Sequence, residues 1–393
     1  MMMQFSKRMK YLKASEIRDL LKLTERPEMI SFAGGMPAPE LFPSEAIRAS
    51  MNSVLAHKPE QALQYACTEG YTPLREKIAQ RMKTKFDASV DGEQILITSG
   101  SQQGLDFTGK LFLDEGSVVL CESPTYLAAL NAFRAYMPRF VEIPTDSEGI
   151  KPDGLEKLLA EIEGIRLIYV IPDFQNPTGN SWSMERKKAF MDVIGRHDIP
   201  VLEDNPYGEL RYEGQRLPSL LSMDTKGQVI FTGTFSKILV PGFRTGWIAA
   251  QADIIRKYAL LKQGADLHTA MTTQMCIHEI LQQFDLEAHI TKLQQVYRAR
   301  RDVMLEAIAR YLPKSVQPSH PQGGLFLWLT LPDGMNAREL LEKSLRNNVA
   351  FVPGGSFFPN GGHENTMRLN YSYSSEELIV EGIRRLGEVM QTL

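Results

Sequence analysis

Residues 232–247 are TGTFSKILVPGFRTGW, with one lysine, Lys237, next to hydroxyl-bearing residues and one arginine, Arg244, seven positions later. Apolar neighbours and a fixed cation both disfavour an ammonium ion, so they lower the pKa of a lysine amine. A deprotonated amine is a nucleophile that forms imines. Because a Ser-Lys pair with a downstream arginine is also common on ordinary solvated loops, this segment predicts chemistry only in combination with others.

Imine formation on an enzyme lysine suggests pyridoxal phosphate as the cofactor. The hydroxyls of Thr234 and Ser236 and the guanidinium of Arg244 suit a phosphate group. Arginine binds phosphate oxygens through two donors, and hydroxyls add short hydrogen bonds. One short segment would therefore hold both ends of the cofactor.

The bulk properties are those of an ordinary globular protein, with 393 residues, 43% hydrophobic content and a net charge of -3. The length is sufficient for two domains, and the charge gives no basic surface for nucleic acid, so no such partner is predicted. The three cysteines are far apart, which argues against a disulfide framework or a metal site. Because no segment resembles a signal peptide or a membrane span, we expect a cytoplasmic protein without a membrane partner.

Residues 94–250 alternate short β-branched runs with helical patterns, which is typical of βαβ units and a mainly parallel sheet. Helical spacing follows the first strand at Leu105, Thr108 and Leu111, and Met184–Ile194 is predicted to be a crossover helix. We expect a large domain over residues 46–285. The predicted strands are Gln94–Thr98, Val118–Leu120, Arg166–Ile171, Val201–Glu203, Val229–Thr232 and Trp247–Ala250.

A smaller α+β domain is expected over residues 286–393. Residues 1–45 include an amphipathic helix pattern at Ile17, Leu20 and Leu21, and this segment is predicted to be an arm that packs on the rest. Residues 254–312 contain few helix-breaking residues and are predicted to be mainly helical. Three later segments look like strands of a separate sheet, namely Gly323–Leu329, Val349–Val352 and Arg368–Tyr373.

Ligands of open α/β sheets lie beyond the carboxyl ends of the strands, so functional residues should follow the strands. Residues 99–104, SGSQQG, follow the first strand and open a helix, whose N-terminal amides suit an anion. Tyr126 follows the second strand, where an aromatic ring could stack on a pyridine ring. Both have ordinary alternatives, since Ser101 is also a good helix cap and Tyr126 could be a core residue.

Two further strand ends carry polar groups. Asn176 lies in a turn-rich run and could donate to a ring hydroxyl, although an Asn-Pro turn needs no such role. Asp204 follows a buried strand and needs a cationic partner, which a protonated pyridine nitrogen would supply; otherwise it is a cap. Tyr207 would then reach the ring hydroxyl. Because ordinary explanations would have to coincide at every strand end, we favour a cofactor site.

The chain resembles fold-type I pyridoxal phosphate enzymes, specifically the class I and II aminotransferases, over nearly its whole length. Residues 16–22 and 31–43 look most like the 2-aminoadipate and kynurenine aminotransferase branch. The resemblance implies a large domain with a mainly parallel, seven-stranded sheet and a smaller α+β C-terminal domain. It is carried by residues 31–35 (SFAGG), Gln64-Tyr65, Asn176-Pro177-x-Gly179, Asp204-x-x-Tyr207, Ser236-Lys237 and Arg368.

The resemblance also implies roles for single residues around the cofactor. Lys237 would form the imine and then carry the substrate's proton, and Asp204 would pair with the pyridine nitrogen. The other contacts would be made by Asn176 and Tyr207 at the ring hydroxyl, Tyr126 on the ring face, and Ser101, Gln102, Thr234, Ser236 and Arg244 at the phosphate.

Substrate and subunit contacts are implied in the same way. Arg368 would bind the substrate α-carboxylate, and Gly35 would also contact the substrate. Apart from the resemblance, an N-terminal helix that closes over the site could use Arg18 to meet a distal carboxylate, although an arginine on a short amphipathic helix is more often solvated. Tyr65 would reach the phosphate of the neighbouring subunit, which implies a homodimer with shared active sites.

The predicted reaction is ping-pong transfer of an amino group from an L-amino acid to 2-oxoglutarate. The predicted donor is 2-aminoadipate, with aromatic or aliphatic amino acids as the alternative. A lyase or decarboxylase that uses the same cofactor, and a cofactor-binding sensor without turnover, are competing hypotheses, because fold does not fix function. In regulators that resemble this family a DNA-binding segment precedes the aminotransferase-like part, and with roughly thirty residues before Gly34 we expect no such segment here.

Overall fold

The computed structural model describes residues 3–12, 20 and 26–392. Its strands, in chain order, are β1 (Ile30–Ser31), β2 (Ile95–Thr98), β3 (Val118–Glu122), β4 (Arg139–Ile143), β5 (Thr145–Asp146), β6 (Gly149–Ile150), β7 (Ile165–Val170), β8 (Val201–Asp204), β9 (Val229–Thr234), β10 (Gly246–Ala249), β11 (Gln317–Pro318), β12 (Phe326–Thr330), β13 (Val349–Ala350), β14 (Val352–Pro353) and β15 (Thr366–Asn370).

The α-helices are numbered in the same way. They are α1 (Ser44–His57), α2 (Pro59–Ala62), α3 (Thr72–Phe86), α4 (Ser101–Phe112), α5 (Leu127–Arg134), α6 (Pro152–Glu161), α7 (Met184–Ile194), α8 (Leu220–Met223), α9 (Ala252–Gln263), α10 (Met271–Gln283), α11 (Leu286–Tyr311), α12 (Ala337–Arg346) and α13 (Glu376–Met390).

Seven strands form the main sheet, in the order β2-β10-β9-β8-β7-β3-β4. β10 is antiparallel to both of its neighbours, and the other pairs are parallel. Successive residues of the parallel strands are buried on opposite faces, as a sheet covered by helices on both sides requires. In β3, Val119 and Cys121 belong to the core under α4, α5 and α9, whereas Val118 and Leu120 belong to the core under α6 and α7.

The predicted fold class is confirmed, and six of these seven strands lie within two residues of their predicted bounds. The helix α7 has its predicted bounds. The prediction missed β4, which is an edge strand with mostly half-buried side chains. An edge strand with one solvated side lacks the continuous apolar run that marks the central strands, so its sequence gives a weaker signal.

The second sheet is antiparallel, with the order β11-β12-β15-β14, and α11 packs against α13 in the same part of the molecule. Two of its predicted strands are present with shifted bounds, as β12 and β15. The prediction of one strand over Val349–Val352 was wrong. The chain changes partner at the buried Phe351, because β13 pairs with β1 whereas β14 pairs with β15.

The segment around β1 joins the beginning of the described chain to its end. Phe32 donates its backbone N–H to the carbonyl of Ala350, and Asn370 donates to the carbonyl of Phe32. This pairing holds residues 30–36 next to β15. The predicted N-terminal helix lies mostly outside the described residues, although Leu20 is described and buried.

Candidate active site

The carboxyl ends of the main-sheet strands border a cavity of about 150 Å³. β8 ends at Asp204, β9 ends at Thr234, and Lys237 follows three residues later. Residues that are far apart in the sequence therefore meet in one place. Ten of the predicted site residues line this cavity, namely Ser101, Gln102, Tyr126, Asn176, Asp204, Tyr207, Thr234, Ser236, Lys237 and Arg244.

Lys237 is half-buried, and its Nζ donates to the carbonyl oxygen of Gly35 at 2.7 Å. In the part of the chain that the structure describes, no carboxylate forms an ion pair with it. Burial lowers the pKa of Lys237 to about 8, with further contributions from the cations Arg368 and Arg244. A fraction of the amine is therefore unprotonated near neutral pH, which is the state that a nucleophile needs.

Asp204 is 2% exposed at the end of β8. Its Oδ2 accepts a hydrogen bond of 2.8 Å from the hydroxyl of Tyr169, and its Oδ1 has no partner among the residues described. Burial raises the pKa of Asp204 to about 7, and the Tyr169 hydrogen bond opposes that rise. A buried acceptor without a donor costs free energy, so Oδ1 fits the N–H of a protonated pyridine ring.

Arg368 lies in β15 and is 1% exposed. Its Nη1 donates to Oδ1 of Asn176 at 2.8 Å, and its Nη2 donates to the carbonyl of Ala33 at 2.6 Å. The rings of Phe326 and Phe357 flank the guanidinium at 4.3 and 5.1 Å. Burial lowers the pKa of Arg368 to about 10, and no carboxylate in the described ranges neutralises it. Such a cation can bind the carboxylate of a ligand through two donors.

Asn176 and Tyr207 lie on the same side of the cavity. The Asn176–Pro177 peptide bond is cis, and Asn176 is buried. Tyr207 is also buried, and its ring meets Phe326 edge-on at 5.8 Å. Burial raises the pKa of the Tyr207 phenol, while its contact with the Asn176 side chain lowers it. The predicted pair for a ring hydroxyl is therefore brought together.

The opposite end of the cavity is suited to an anion. α4 begins at Ser101, and its N-cap residue, Gly100, has no side chain to satisfy the first amides of the helix. Gly100 has a φ of 79°, and a Cβ built there would lie 2.5 Å from Nη2 of Arg244. Glycine readily adopts this positive φ, and without a Cβ it lets the guanidinium lie beside the helix N-terminus, where the helix dipole also favours negative charge.

Two hydroxyls complete this anion-binding end. Thr234 donates from Oγ1 to Oγ of Ser236 at 2.9 Å, and Thr234 Oγ1 accepts from the backbone N–H of Ser236 at 3.1 Å. Both residues are buried and line the cavity. Gln102 also lines the cavity, but its Nε2 donates to the carbonyl of Ala128 at 3.2 Å.

Of three other predicted residues, one lines the cavity, one lies outside it and one is not among the described residues. Tyr126 lines the cavity just before α5 and is half-buried. Tyr65 lies outside the cavity, is 79% exposed and meets His268 edge-on at 5.9 Å, so one chain alone does not bring it to the site. Arg18 lies outside the described residues.

Sequence reasoning missed Tyr169 and a buried ion-pair cluster beside the site. Within a β-branched strand pattern a tyrosine looks like any core residue, so only the register of the strands reveals its contact with Asp204. Asp173 accepts from Nζ of Lys187 at 3.2 Å and from Nδ2 of Asn205 at 2.9 Å. This cluster joins the segment before Asn176 to the segment after Asp204.

A larger open groove of about 880 Å³ runs past Glu148, Arg211 and His320. It contains neither Lys237 nor the unpartnered carboxylate oxygen, so the smaller cavity is the better candidate for a reactive site. Along the described chain, no helix combines the length and the apolar character needed to cross a membrane.

Residues 28–386 match the family described as aminotransferase class I and II. An aromatic-amino-acid aminotransferase from Thermococcus litoralis is 46% identical over 98% of this chain and 94% of its own length. A 2-aminoadipate transaminase from Thermus thermophilus is also 46% identical, over 97% of this chain and 95% of its own length. A crystal structure of Pyrococcus horikoshii kynurenine aminotransferase has a TM-score of 0.94 at 43% identity, covering 99% of this chain and 97% of that one.

These similarities extend over the cavity and over both sheets. They confirm the resemblance that the sequence motifs suggest, including its 2-aminoadipate and kynurenine branch. The chain therefore belongs to the class I and II aminotransferase family and is a pyridoxal phosphate-dependent transaminase of fold type I.

Proposed function

We propose that this transaminase transfers the amino group of an L-amino acid, with 2-aminoadipate as the leading donor, to 2-oxoglutarate. The observation that carries the site assignment is that Lys237, without an ion pair, and Oδ1 of Asp204, without a donor, meet at one cavity in the described part of the chain. Arg368, which no described carboxylate neutralises, is hydrogen-bonded to Asn176 in the lining of that cavity. Each of these groups is costly to bury alone, and each is satisfied by a different part of the cofactor and substrate.

The residues that line the cavity have the chemistry that each part of pyridoxal phosphate requires. Oδ1 of Asp204 would accept the ring N–H, and Asn176 and Tyr207 would bind the ring hydroxyl. Tyr126 would cover the ring face. When bound, the cofactor withdraws electrons from the substrate Cα and accepts the amino group. The phosphate would be held by the first amides of α4 with Ser101, Gln102, Thr234, Ser236 and Arg244.

Lys237 would have two tasks in turn. Its amine would first hold the cofactor covalently, which its lowered pKa favours. Once substrate displaces it, Nζ would take the proton from the substrate Cα and deliver it elsewhere on the same bound molecule. In the structure, Nζ is held by its hydrogen bond to the carbonyl of Gly35. General acid–base transfer of this kind contributes about 10²–10⁴-fold to a rate.

Arg368 would orient the substrate through its α-carboxylate. The two phenylalanine rings and the bond to Asn176 fix the guanidinium plane, so little rotamer freedom is lost when a carboxylate binds. Gly35 would border the same substrate. Arg18 would approach a distal carboxylate from the N-terminal arm. The domain bounds in this proposal are residues 1–45 for the arm, 46–285 for the large domain and 286–393 for the small domain.

The choice of donor is supported by the relatives, whose names include 2-aminoadipate, kynurenine and aromatic-amino-acid aminotransferases. Aromatic and aliphatic amino acids are therefore the alternative donors. Our proposal also includes a homodimer in which Tyr65 reaches the partner's phosphate site. Its 79% exposure in the single chain, next to the exposed Leu63 and Leu267, supports this arrangement. Three cysteines without a disulfide are consistent with a cytoplasmic location.

The test is a visible absorbance scan of the purified holoenzyme. L-2-aminoadipate alone should abolish the band of bound pyridoxal phosphate, and 2-oxoglutarate should then restore it. L-Phenylalanine and L-leucine, added in the same way, separate the alternative donors. Lys237→Ala is the matched control that should show no cycle. If 2-aminoadipate leaves the band unchanged while another amino acid cycles it, the proposed donor is wrong, and if no oxo acid restores it, the proposed acceptor is wrong.

The subunit arrangement has a separate test. Tyr65→Phe and Lys237→Ala each damage a different half of a shared site, so mixing and re-equilibrating the two inactive or weakened proteins should produce one intact site per mixed dimer. Recovery of activity above the sum of the separate proteins supports shared sites. A protein that sediments as a monomer at assay concentration, or a mixture without recovery, contradicts them.

A further inference from the structure

Tyr169 lies in the middle of the main sheet, one strand away from Asp204. β7 and β8 are parallel, and Tyr169 is opposite Leu202. Asp204 is two residues beyond Leu202, so its side chain lies on the same face of the sheet as that of Tyr169. The hydroxyl of Tyr169 donates to Oδ2 of Asp204 at 2.8 Å. The contact is therefore set by strand register and does not depend on a loop.

The surroundings of Tyr169 leave it little freedom. The ring is fully buried and meets Phe133 edge-on at 5.6 Å with an interplanar angle of 77°. On the other neighbouring strand, Cys121 is opposite Tyr169. Because Tyr169 and Asp204 are both buried, the hydroxyl cannot exchange its acceptor for water. Loss of such a bond would leave a second carboxylate oxygen without a donor.

The bond distinguishes the two oxygens of Asp204. Oδ2 is occupied by Tyr169, whereas Oδ1 is buried and unpartnered among the described residues. A donor on one oxygen fixes the carboxylate rotamer and favours its ionised form. The other oxygen is thereby left as a pre-oriented acceptor, which does not have to reorganise when a donor binds.

We propose that Tyr169 is a positioning residue, which holds Asp204 through Oδ2 so that Oδ1 receives the ring N–H of the cofactor and the proton stays on the ring. This inference rests on the proposed pairing of Asp204 with the cofactor ring. A purely structural role is the competing explanation, because a phenylalanine would fill the same space between Phe133 and β3.

The experiment compares Tyr169→Phe with Tyr258→Phe. Tyr258 is a matched control because it is also fully buried and its hydroxyl also has a buried partner, Oγ1 of Thr108 at 2.7 Å, away from the cavity. The first readout is the affinity of each apoenzyme for pyridoxal phosphate. The second is the ¹⁵N NMR shift of cofactor labelled at the ring nitrogen, which reports whether that nitrogen carries the proton.

Tyr169→Phe should weaken cofactor affinity by about tenfold, because the Asp204 carboxylate loses the donor that orients Oδ1 and favours its ionised form. The ¹⁵N signal should move toward that of an unprotonated pyridine, because a carboxylate with fewer donors is a stronger base. Tyr258→Phe should change neither readout. Fluorotyrosine at position 169 keeps the shape of the side chain and makes a stronger donor, so it should move the ¹⁵N signal in the opposite direction.

Equal ¹⁵N signals in wild type, Tyr169→Phe and the fluorotyrosine protein would overturn the inference and leave Tyr169 as a packing residue. Failure of the underlying function has a different signature. In that case the wild type takes up no pyridoxal phosphate, or Asp204→Asn leaves the ¹⁵N signal unchanged. The fluorotyrosine protein keeps the inference testable even if Tyr169→Phe does not fold.

Discussion

Two buried aspartates follow neighbouring strands of the main sheet, and their surroundings are opposite. Asp173, after β7, is contacted by three donors, from Lys187, Asn205 and Arg211, at 2.9 to 3.7 Å. Asp204, at the end of β8, has a single donor for Oδ2 and none for Oδ1 in the described structure. Both are less than 5% exposed, so burial alone does not explain the difference.

The two lysines show the same contrast. Lys187 is fully buried, pairs with Asp173 and also donates to the carbonyl of Pro218 at 2.9 Å. Lys237 is half-buried and donates only to a neutral carbonyl in the described structure. A buried charge with a partner fixes structure, whereas a buried charge without one is left available to a ligand. The region around Asp173 and the region around Asp204 therefore differ less in residue type than in whether their charged groups have partners.

The largest effect on kcat is expected from a substitution of Lys237. Lys237→Ala removes the proposed nucleophile and proton carrier, so kcat for transamination should fall by about 1,000-fold or more. The free energy of unfolding of the apoenzyme should change little, because Lys237 forms no ion pair with any described residue. Steady-state kinetics and guanidinium unfolding measure the two quantities. A variant that is as unstable as Lys187→Met would erase the contrast between the lysines.

Lys187→Met should act in the opposite way, through stability. It leaves the Asp173 carboxylate buried with an incomplete set of donors, and breaking a buried pair costs about 3–5 kcal/mol. Equilibrium unfolding of the apoenzyme measures this. The double variant Lys187→Met/Asp173→Asn removes the orphaned charge and should recover part of the loss. A double variant no more stable than the single one would argue against a charge-based explanation.

If Asp204 pairs with the cofactor ring nitrogen as proposed, Asp204→Asn should lower kcat by about 100-fold, since an uncharged partner no longer keeps that nitrogen protonated. Its effect on apoenzyme stability should depend on pH. The pKa of Asp204 is raised to about 7 in the folded state, so the folded chain binds more protons than the unfolded chain between the ordinary carboxyl pKa and 7. In that window the wild type loses stability as pH rises.

The pH dependence is best measured as the difference between the two proteins. Glu122 and Glu203 also have pKa values raised to about 7, and they contribute equally to wild type and Asp204→Asn. The free energy of unfolding of Asp204→Asn should therefore increase relative to that of the wild type as the pH rises to 7. Above pH 7 the difference between the two proteins should stay constant. A difference that is flat with pH would mean that Asp204 is already satisfied in the apoenzyme.

The smallest effect is expected where the two regions meet. Asn205 donates to Asp173 and accepts at 2.9 Å from the backbone N–H of Gly208, so it ties the satisfied cluster to the segment that carries Tyr207. Asn205→Ala should cost about 1 kcal/mol of unfolding free energy and lower kcat a few-fold. Asn360→Ala, at an exposed position, is the control. If both variants change the unfolding free energy and kcat equally, Asn205 does not couple the two regions.

The sequence predicts the main sheet well because buried parallel strands are apolar on both faces and are bounded by turn residues. It also predicts most of the cavity-lining residues, because lysine, aspartate and asparagine at strand ends are chemically conspicuous. It does not predict Tyr169 or the Asp173 cluster, which depend on strand register and on contacts between distant segments. The division of residues 349–353 between two sheets depends on β1 and was missed for the same reason. The roles of the single residues stay predictions.

The position of residues 30–36 between Lys237 and Arg368 has a consequence for how the protein is made. Ala33 contacts an arginine 335 positions later in the chain, and Gly35 contacts a lysine 202 positions later. A ribosome delivers these residues first, and domains fold as they emerge. The main sheet can thus be complete while Ala33 still lacks its partner. Arg368, the proposed carboxylate-binding residue, joins last, so a nascent chain that ends before β15 carries Lys237 without the arginine proposed to orient the substrate.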